Sequence, residues 1–190
     1  MRAAILVLAA CLLLGGAAHA QAKPPVELLY DAQEQIREKR TDTNRDGRFD
    51  EFVFYEHGAP ARAEIDANHD GRVDTWLRYD AAGKPATQEG DTNGDGNRDQ
   101  WIEFEAGVPT RQRDDRNGDG KPDAETRFAG GQPESAEEDL DFDGRPDRFV
   151  RHANGEVAAV EEDTDRDGRP DVRIEYDPGG RKRLEVQDTN

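Results

Sequence analysis

DTNGDGNRDQWIEFEAG, residues 91–107, sets Asp or Asn at every second position from Asp91 to Asp99, with Gly96 between Asp95 and Asn97. An apolar run, Trp101, Ile102 and Phe104, follows at once, and Gly107 ends it. Such a stretch could be a polar turn, half of an EF-hand or a cation cage of another kind. Its recurrence decides.

The pattern D-x-[ND]-x-D-G-x-x-D occurs six times, at residues 42–50, 66–74, 91–99, 115–123, 139–147 and 163–171. Successive copies start 24, 25, 24, 24 and 24 residues apart. A fixed period of this size marks a repeat architecture in which each copy is one supersecondary unit. Counted from each first Asp, position 12 is Val53, Leu77, Ile102, Thr126, Val150 and Ile174, and position 14 is Tyr55, Tyr79, Phe104, Phe128, His152 and Tyr176. Apolar or aromatic residues two apart share a strand face, so each acidic loop feeds a strand. Glycine then recurs at Gly58, Gly83, Gly107, Gly130, Gly155 and Gly179 before a second short polar run, which predicts a β-hairpin.

The fold expected is therefore all-β, a row of tandem β-hairpin repeats of about 24 residues forming a curved or coiled antiparallel sheet with the loops along one edge. A closed barrel or propeller-like ring is the alternative, since closure removes exposed edges. Residues 21–41 are read as an N-terminal capping hairpin or linker, with Leu28, Tyr30 and Asp31 matching Leu77, Tyr79 and Asp80 in type and phase, although Val26–Arg40 also suits a short helix. Residues 42–190 hold the six repeats, and Asp188-Thr189-Asn190 begins an unfinished seventh loop.

The loop chemistry asks for a hard cation. Ca²⁺ takes six to eight oxygens at about 2.3–2.6 Å, and side chains at loop positions 1, 3 and 5 converge on an ion when glycine at position 6 permits a sharp turn. The ligand sets expected are Asp42, Asn44, Asp46, Arg48 and Asp50; Asp66, Asn68, Asp70, Arg72 and Asp74; Asp91, Asn93, Asp95, Asn97 and Asp99; Asp115, Asn117, Asp119, Lys121 and Asp123; Asp139, Asp141, Asp143, Arg145 and Asp147; and Asp163, Asp165, Asp167, Arg169 and Asp171. The seventh-position residues (Arg48, Arg72, Asn97, Lys121, Arg145, Arg169) enter through their backbone carbonyls, whatever their side chains. An EF-hand needs Glu at position 12 and a helix after it; position 12 is never acidic here and a strand follows. Asp at position 9 takes over that role. One such loop alone is equally well an Asx turn, but Asp at positions 1, 5 and 9 of all six is more than a turn requires. Up to six Ca²⁺ ions are expected, ahead of Mg²⁺, which keeps several waters that an all-oxygen cage displaces.

The loops resemble the β-type calcium loops of FG-GAP repeats in integrin α-subunit propellers, and the tandem DTNGDGxxD arrays of predicted secreted bacterial proteins. The resemblance is confined to the six nine-residue loops. An FG-GAP blade is more than twice as long as this repeat, so the propeller fold is not implied. Dockerins share the early loop positions but continue into a helix, and thrombospondin type 3 repeats need cysteines that this sequence lacks.

Composition agrees with this reading. Residues 1–20 have Arg2, an apolar run from Ala3 to Leu14 and Ala18-His19-Ala20, the order of a secretory signal peptide cleaved after Ala20. Cys11, the sole cysteine, follows Leu8-Ala9-Ala10 as in a lipobox, but only ten residues precede it and the apolar run continues past it, so cleavage at Ala20 is the expectation. A secreted or periplasmic location follows, with no disulfide and no transmembrane span in the mature chain. Without Arg2 there are 25 basic and 43 acidic residues, a net charge of −18. That charge excludes nucleic acid as a partner and favours cations. Twenty of the acids lie in the cages, and six Ca²⁺ would bring the charge to −6. With only 33% hydrophobic residues, ions and neighbouring repeats must supply what a small core does not.

His57, His69 and His152 share no spacing with one another or with cysteine, and no Gly-rich phosphate loop, nucleophile elbow or HExxH is present. No enzymatic role is expected. Phe52, Trp76, Trp101 and Phe149 at position 11 form a series that either packs across strands or presents rings to a protein or carbohydrate partner. Two functions fit: a calcium-stabilised structural or interaction module, or a calcium-responsive regulator or buffer.

Overall fold

The computed structural model describes residues 25–187, as two compact units that meet in sequence at Lys84/Pro85. Residues 1–20, read as a signal peptide, with Cys11, and Asp188-Thr189-Asn190, read as the start of a seventh loop, lie outside the described residues. Among these residues the chain is all-β, with strands and no helix. No helix there is long and apolar enough to cross a membrane.

The first unit contains β1 (Val26–Tyr30), β2 (Ile36–Thr41), β3 (Glu51–Glu56), β4 (Ala59–Ile65) and β5 (Thr75–Tyr79). The second contains β6 (Pro85–Gly90), β7 (Gln100–Glu105), β8 (Val108–Asp114), β9 (Ala124–Ala129), β10 (Gln132–Glu138), β11 (Arg148–Ala153), β12 (Glu156–Glu162), β13 (Val172–Tyr176) and β14 (Lys182–Gln187). Within each unit the strands lie in chain order and every pairing is antiparallel. First and last strands do not pair in either unit, so the tandem-hairpin sheet is open and the closed-ring alternative falls. Residues 26–41, for which the sequence allows hairpin or helix, form the β1–β2 hairpin.

Two turn types explain the spacing. Four hairpins turn on two residues, His57-Gly58, Ala106-Gly107, Gly130-Gly131 and Asn154-Gly155, with φ positive at both (52° and 80° in the first). A type I′ turn demands this, and its twist matches the flanking strands. The other hairpins turn on Asp31, Asp80 and Asp177. In each the Asp N–H donates to the carbonyl four residues on (Gln35, Lys84, Arg181) while its Oδ1 accepts from the N–H groups two and four residues on. The wider turn at Asp80 contains the extra residue that makes one repeat interval 25 instead of 24.

The position-12 residues form a row across each sheet. In the first unit the order is Lys39, Val53, Ala63, Leu77. In the second it runs from Gln88 and Ile102 to Val160, Ile174 and Glu185. On the opposite face each position-11 aromatic sits between charged residues of its neighbours: Phe52 between Arg40 and Glu64, Trp101 between Glu89 and Arg113, Phe149 between Glu137 and Glu161. The rings therefore do not stack on one another from repeat to repeat. They lie in register with long charged side chains instead, and Phe54 on the same face carries the Arg62 guanidinium 3.5 Å above its ring centre.

What the sheet buries is unusual. Among the described residues, six apolar side chains are buried (Val53, Ala63, Ala124, Val150, Ala159, Val160), against eleven carboxylates: Glu38 and ten loop Asp. Buried carboxylates are stable only when hydrogen-bonded or paired, so the loops are the part of the fold that needs explaining.

Ion pairs on the sheet are peripheral by comparison. The Arg111 guanidinium, which hydrogen-bonds Glu125, holds that carboxyl below its ordinary range against the opposing effect of burial, with Arg127 adding to it. A depressed folded-state pKa contributes stability that is present above the ordinary value of 4.5 and is lost as pH falls through the lower folded value. Glu125→Gln should cost under about 1 kcal/mol in urea unfolding at pH 7, with the difference from the parent vanishing as Glu125 is protonated.

Candidate metal centre

Each loop is closed by its ninth residue. The N–H groups of Asp50, Asp74, Asp99, Asp123, Asp147 and Asp171 donate to the carbonyl of the residue preceding the loop, at 2.8–2.9 Å (Thr41, Ile65, Gly90, Asp114, Glu138, Glu162). Their carboxylates turn inward and accept the N–H groups of loop positions 2 and 3, as Asp123 does from Arg116 (2.7 Å) and Asn117 (3.0 Å). The first Asp accepts from the other side: Asp115 Oδ2 takes the N–H of Gly120 at 2.7 Å and Oδ1 that of Gly118 at 2.8 Å. Position 3 accepts from the N–H of position 5, and position 5 from that of position 7, in all six loops. Five residues per loop, the whole expected set, are thus placed by one repeated backbone scheme.

The geometry is a bowl. Position-1 and position-9 carboxylates form its floor and are buried in every loop except at Asp91 and Asp171, which are half-buried. Asn44, Asn68, Asn93, Asn117 and Asp165 at position 3 are exposed and Asp141 half-buried, while Asp46, Asp70, Asp95, Asp119, Asp143 and Asp167 at position 5 are exposed. Arg48, Arg72, Asn97, Lys121, Arg145 and Arg169 at position 7 also stand in solvent. A small ion therefore reaches the floor directly. The ninth Asp often takes both N–H groups on one oxygen, as Asp147 does on Oδ2, so its acceptor capacity toward the middle lies on the other oxygen.

In loops 5 and 6 this brings three carboxylates together. One oxygen from each of Asp139, Asp141 and Asp147 lies within 4.8 Å of the others, and the same holds for Asp163, Asp165 and Asp171. Such a group could hold a metal ion. The converging positions are 1, 3 and 9. In loops 1–4 an Asn amide oxygen at position 3 makes the same hydrogen bond to position 5 as Asp does in loops 5 and 6. All donors in the set are oxygens, which suits a hard cation.

Hydrogen bonds within a loop can outweigh the cost of burying a carboxylate. At Asp50 burial opposes the charge, but the Thr43 hydroxyl and the N–H groups of Thr43 and Asn44 outweigh it and the carboxyl lies below its ordinary range.

Two features of the loops have no plain signature in residue type. Position 4 is left-handed in every copy: Arg45, His69, Gly94, Gly118, Phe142 and Arg166 have φ between 61° and 77°. Only loops 3 and 4 place glycine there. Non-glycine residues in this region cost about 1–2 kcal/mol, so Phe142→Gly, at a residue that is 47% exposed, should stabilise the protein by about 0.5–1 kcal/mol after the greater chain entropy of glycine is counted. Thermal unfolding checks it.

The second feature joins the loops. The N–H of the first Asp in one loop donates to the carbonyl of the ninth Asp in the loop before it: Asp66 to Asp50, Asp115 to Asp99, Asp139 to Asp123 and Asp163 to Asp147, at 2.7–2.8 Å. Side chains from position 4 also reach back, His69 Nδ1 to Asp50 at 3.5 Å and Arg166 Nε to Asp141 at 3.0 Å. Between loops 1 and 2 there is a cleft of about 440 Å³ whose lining includes Phe49 and Phe52. In loops 4–6, Pro122, Pro146 and Pro170 at position 8 line the corresponding smaller clefts.

No protein-family model and no curated protein matches the chain. Among solved structures, the accessory secretory protein 1, 2 and 3 structure of Streptococcus pneumoniae is similar at 15% identity and a TM-score of 0.27, over 64% of this chain and 21% of that one. The chain thus spans about a fifth of the length of that structure, and the likeness is too slight to transfer a fold or a role.

Proposed function

We propose that the six loops bind Ca²⁺ and that the protein is a secreted or periplasmic repeat module, structural or interacting with a partner, whose sheet the ions stabilise. The observation that carries this reading is the convergence of the position-1, -3 and -9 carboxylates on one point in loops 5 and 6, two of each three set by backbone donors at the floor of an open bowl. An all-oxygen set with three acidic residues in each of loops 1–4 and four in loops 5 and 6 favours Ca²⁺ over transition metals, and a shallow bowl without a designed octahedral shell favours it over Mg²⁺. Six near-equivalent cages suit a scaffold better than a single catalytic centre, so no enzymatic role is proposed.

Calorimetric titration of the chelator-treated protein tests this. A stoichiometry near six is expected, with the tightest class from loops 5 and 6, where a fourth acid replaces Asn, and dissociation constants of about 10⁻⁴–10⁻³ M as in extracellular modules. Constants below about 10⁻⁶ M would point instead to the regulator or buffer. Absence of a calcium heat, or equal heats with Mg²⁺, would sink the proposal.

A further inference from the structure

The large apolar side chains left in solvent are not scattered. Of the nine exposed by more than a third, five lie on the two terminal strands of the described chain, Val26, Leu28 and Tyr30 on β1 and Leu184 and Val186 on β14, at 38–51% exposure. Every residue of β14 is exposed. Among the described residues the outer edges of both strands have no partner strand, and an unpaired edge with apolar side chains is a template for another strand.

The repeat identifies the strand that fits. Even-numbered strands lead into a loop and pair with the odd strand beyond it, through the four residues before the loop and positions 13 to 10 after it, as Ala159, Val160, Glu161 and Glu162 pair with Glu175, Ile174, Arg173 and Val172. β14 is an even strand, and its residues 184–187 are in the phase of 159–162, since Val172 pairs with both Glu162 and Gln187. β1 is an odd strand in the phase of β13: Tyr30 stands just before the turn Asp31 as Tyr176 stands before Asp177. Placing β14 beside β1 sets Gln187 against Val26, Val186 against Glu27, Glu185 against Leu28 and Leu184 against Leu29. This repeats the internal chemistry: position 12 already meets a polar residue at Lys39–Val53 and Gln88–Ile102, and Leu184–Leu29 adds an apolar pair.

We propose that copies of this chain associate head to tail, β14 of one copy pairing antiparallel with β1 of the next in the register of the internal repeats. The contact is heterologous, so it extends copy by copy instead of stopping at a symmetric dimer. The net charge of −17 opposes it, and salt or bound cations weaken that opposition. The inference rests on strand phase and exposure and stands whether or not the loops take a metal.

Sedimentation velocity of the full chain over a concentration series at physiological ionic strength tests it, with the variants Leu28→Lys and Leu184→Lys. The parent should grow past the dimer with concentration. Each variant should dissociate about tenfold or more readily by placing a charge on one edge, and the two variants mixed should stop at the dimer, because one intact β14 edge meets one intact β1 edge. Both substitutions are at surface positions, and circular dichroism verifies that the variants keep the parent's β-signal. In a Cys11→Ser background, Glu185→Cys with Leu28→Cys should form an intermolecular disulfide, whereas Glu185→Cys with Glu27→Cys, one residue out of register, should form at least tenfold less. A parent that stays monomeric, association indifferent to both lysines, or cross-linking without regard to register would overturn the proposal.

Discussion

Stripping divalent cations with a chelator is expected to lower the thermal midpoint by about 20 °C and to remove much of the β-signal at physiological temperature. The size follows from linkage: each ion bound at about ten times its dissociation constant adds about 1.4 kcal/mol to the folded state, six add about 8 kcal/mol, and a domain of this length shifts by about 2–4 °C per kcal/mol. Other sources of stability are small. Among the described residues, six buried apolar side chains, none of them larger than valine, contribute little against chain entropy, and ten buried loop carboxylates are held by backbone N–H groups with a few side-chain donors, such as the Thr43 hydroxyl on Asp50 and the Thr75 hydroxyl on Asp74. Circular dichroism melts in calcium and in chelator give the result. A midpoint that does not move would show that the loops are ordered by their own hydrogen bonds and that the ions are incidental.

Asp147→Asn should change sign with the ion. Its carboxylate accepts the N–H groups of Leu140 (2.7 Å) and Asp141 (3.2 Å), and one of its oxygens lies within 4.8 Å of oxygens of Asp139 and Asp141. The amide keeps an acceptor for those N–H groups and removes one of three crowded charges. In chelator the variant should therefore be more stable than the parent, by about 1 kcal/mol. In calcium it should be less stable, with affinity at loop 5 down about a hundredfold, because the proposed position-9 ligand would lose its charge. Asp143→Asn, at the exposed fifth position, should lose about tenfold or less. Urea unfolding of the variants under both conditions separates these outcomes, and destabilisation of Asp147→Asn in chelator as well as calcium would mean a purely structural carboxylate.

The sequence makes the loops and strand phase legible because both are written in residue type at fixed spacing. Ile102, where an EF-hand needs Glu, and the strand pattern around it separate this loop from an EF-hand, and the structure places a strand after each loop and position 9 beside positions 1 and 3 in loops 5 and 6. Less was legible wherever the backbone does the bonding. The links from Asp66 to Asp50 or Asp163 to Asp147 join N–H to C=O, groups that nearly every residue has. The left-handed fourth position is announced by Gly94 and Gly118 but hidden by Arg45, His69, Phe142 and Arg166, where loop closure overrides the local preference. Whether the sheet closes was open for the same reason, since strand twist and edge pairing leave no mark in an alternating pattern. The position-11 aromatics look like a ladder in the repeat alignment because the alignment omits the even strands that place Arg40, Glu64 and Glu89 beside them.

The chain-order arrangement of strands within each unit bears on how the molecule meets mechanical load. Among the described residues no ladder within a unit joins residues more than sixteen apart, as between Glu38 and Phe54, and no strand is clamped between two that are remote in sequence. Tension along the chain therefore peels one hairpin at a time, breaking bonds in succession instead of shearing them together, and each 24-residue unit pays out about 80 Å of contour. When tension drops, only a short loop has to close for a hairpin to re-form. Such a chain yields in small reversible steps and returns without passing through a fully unfolded state.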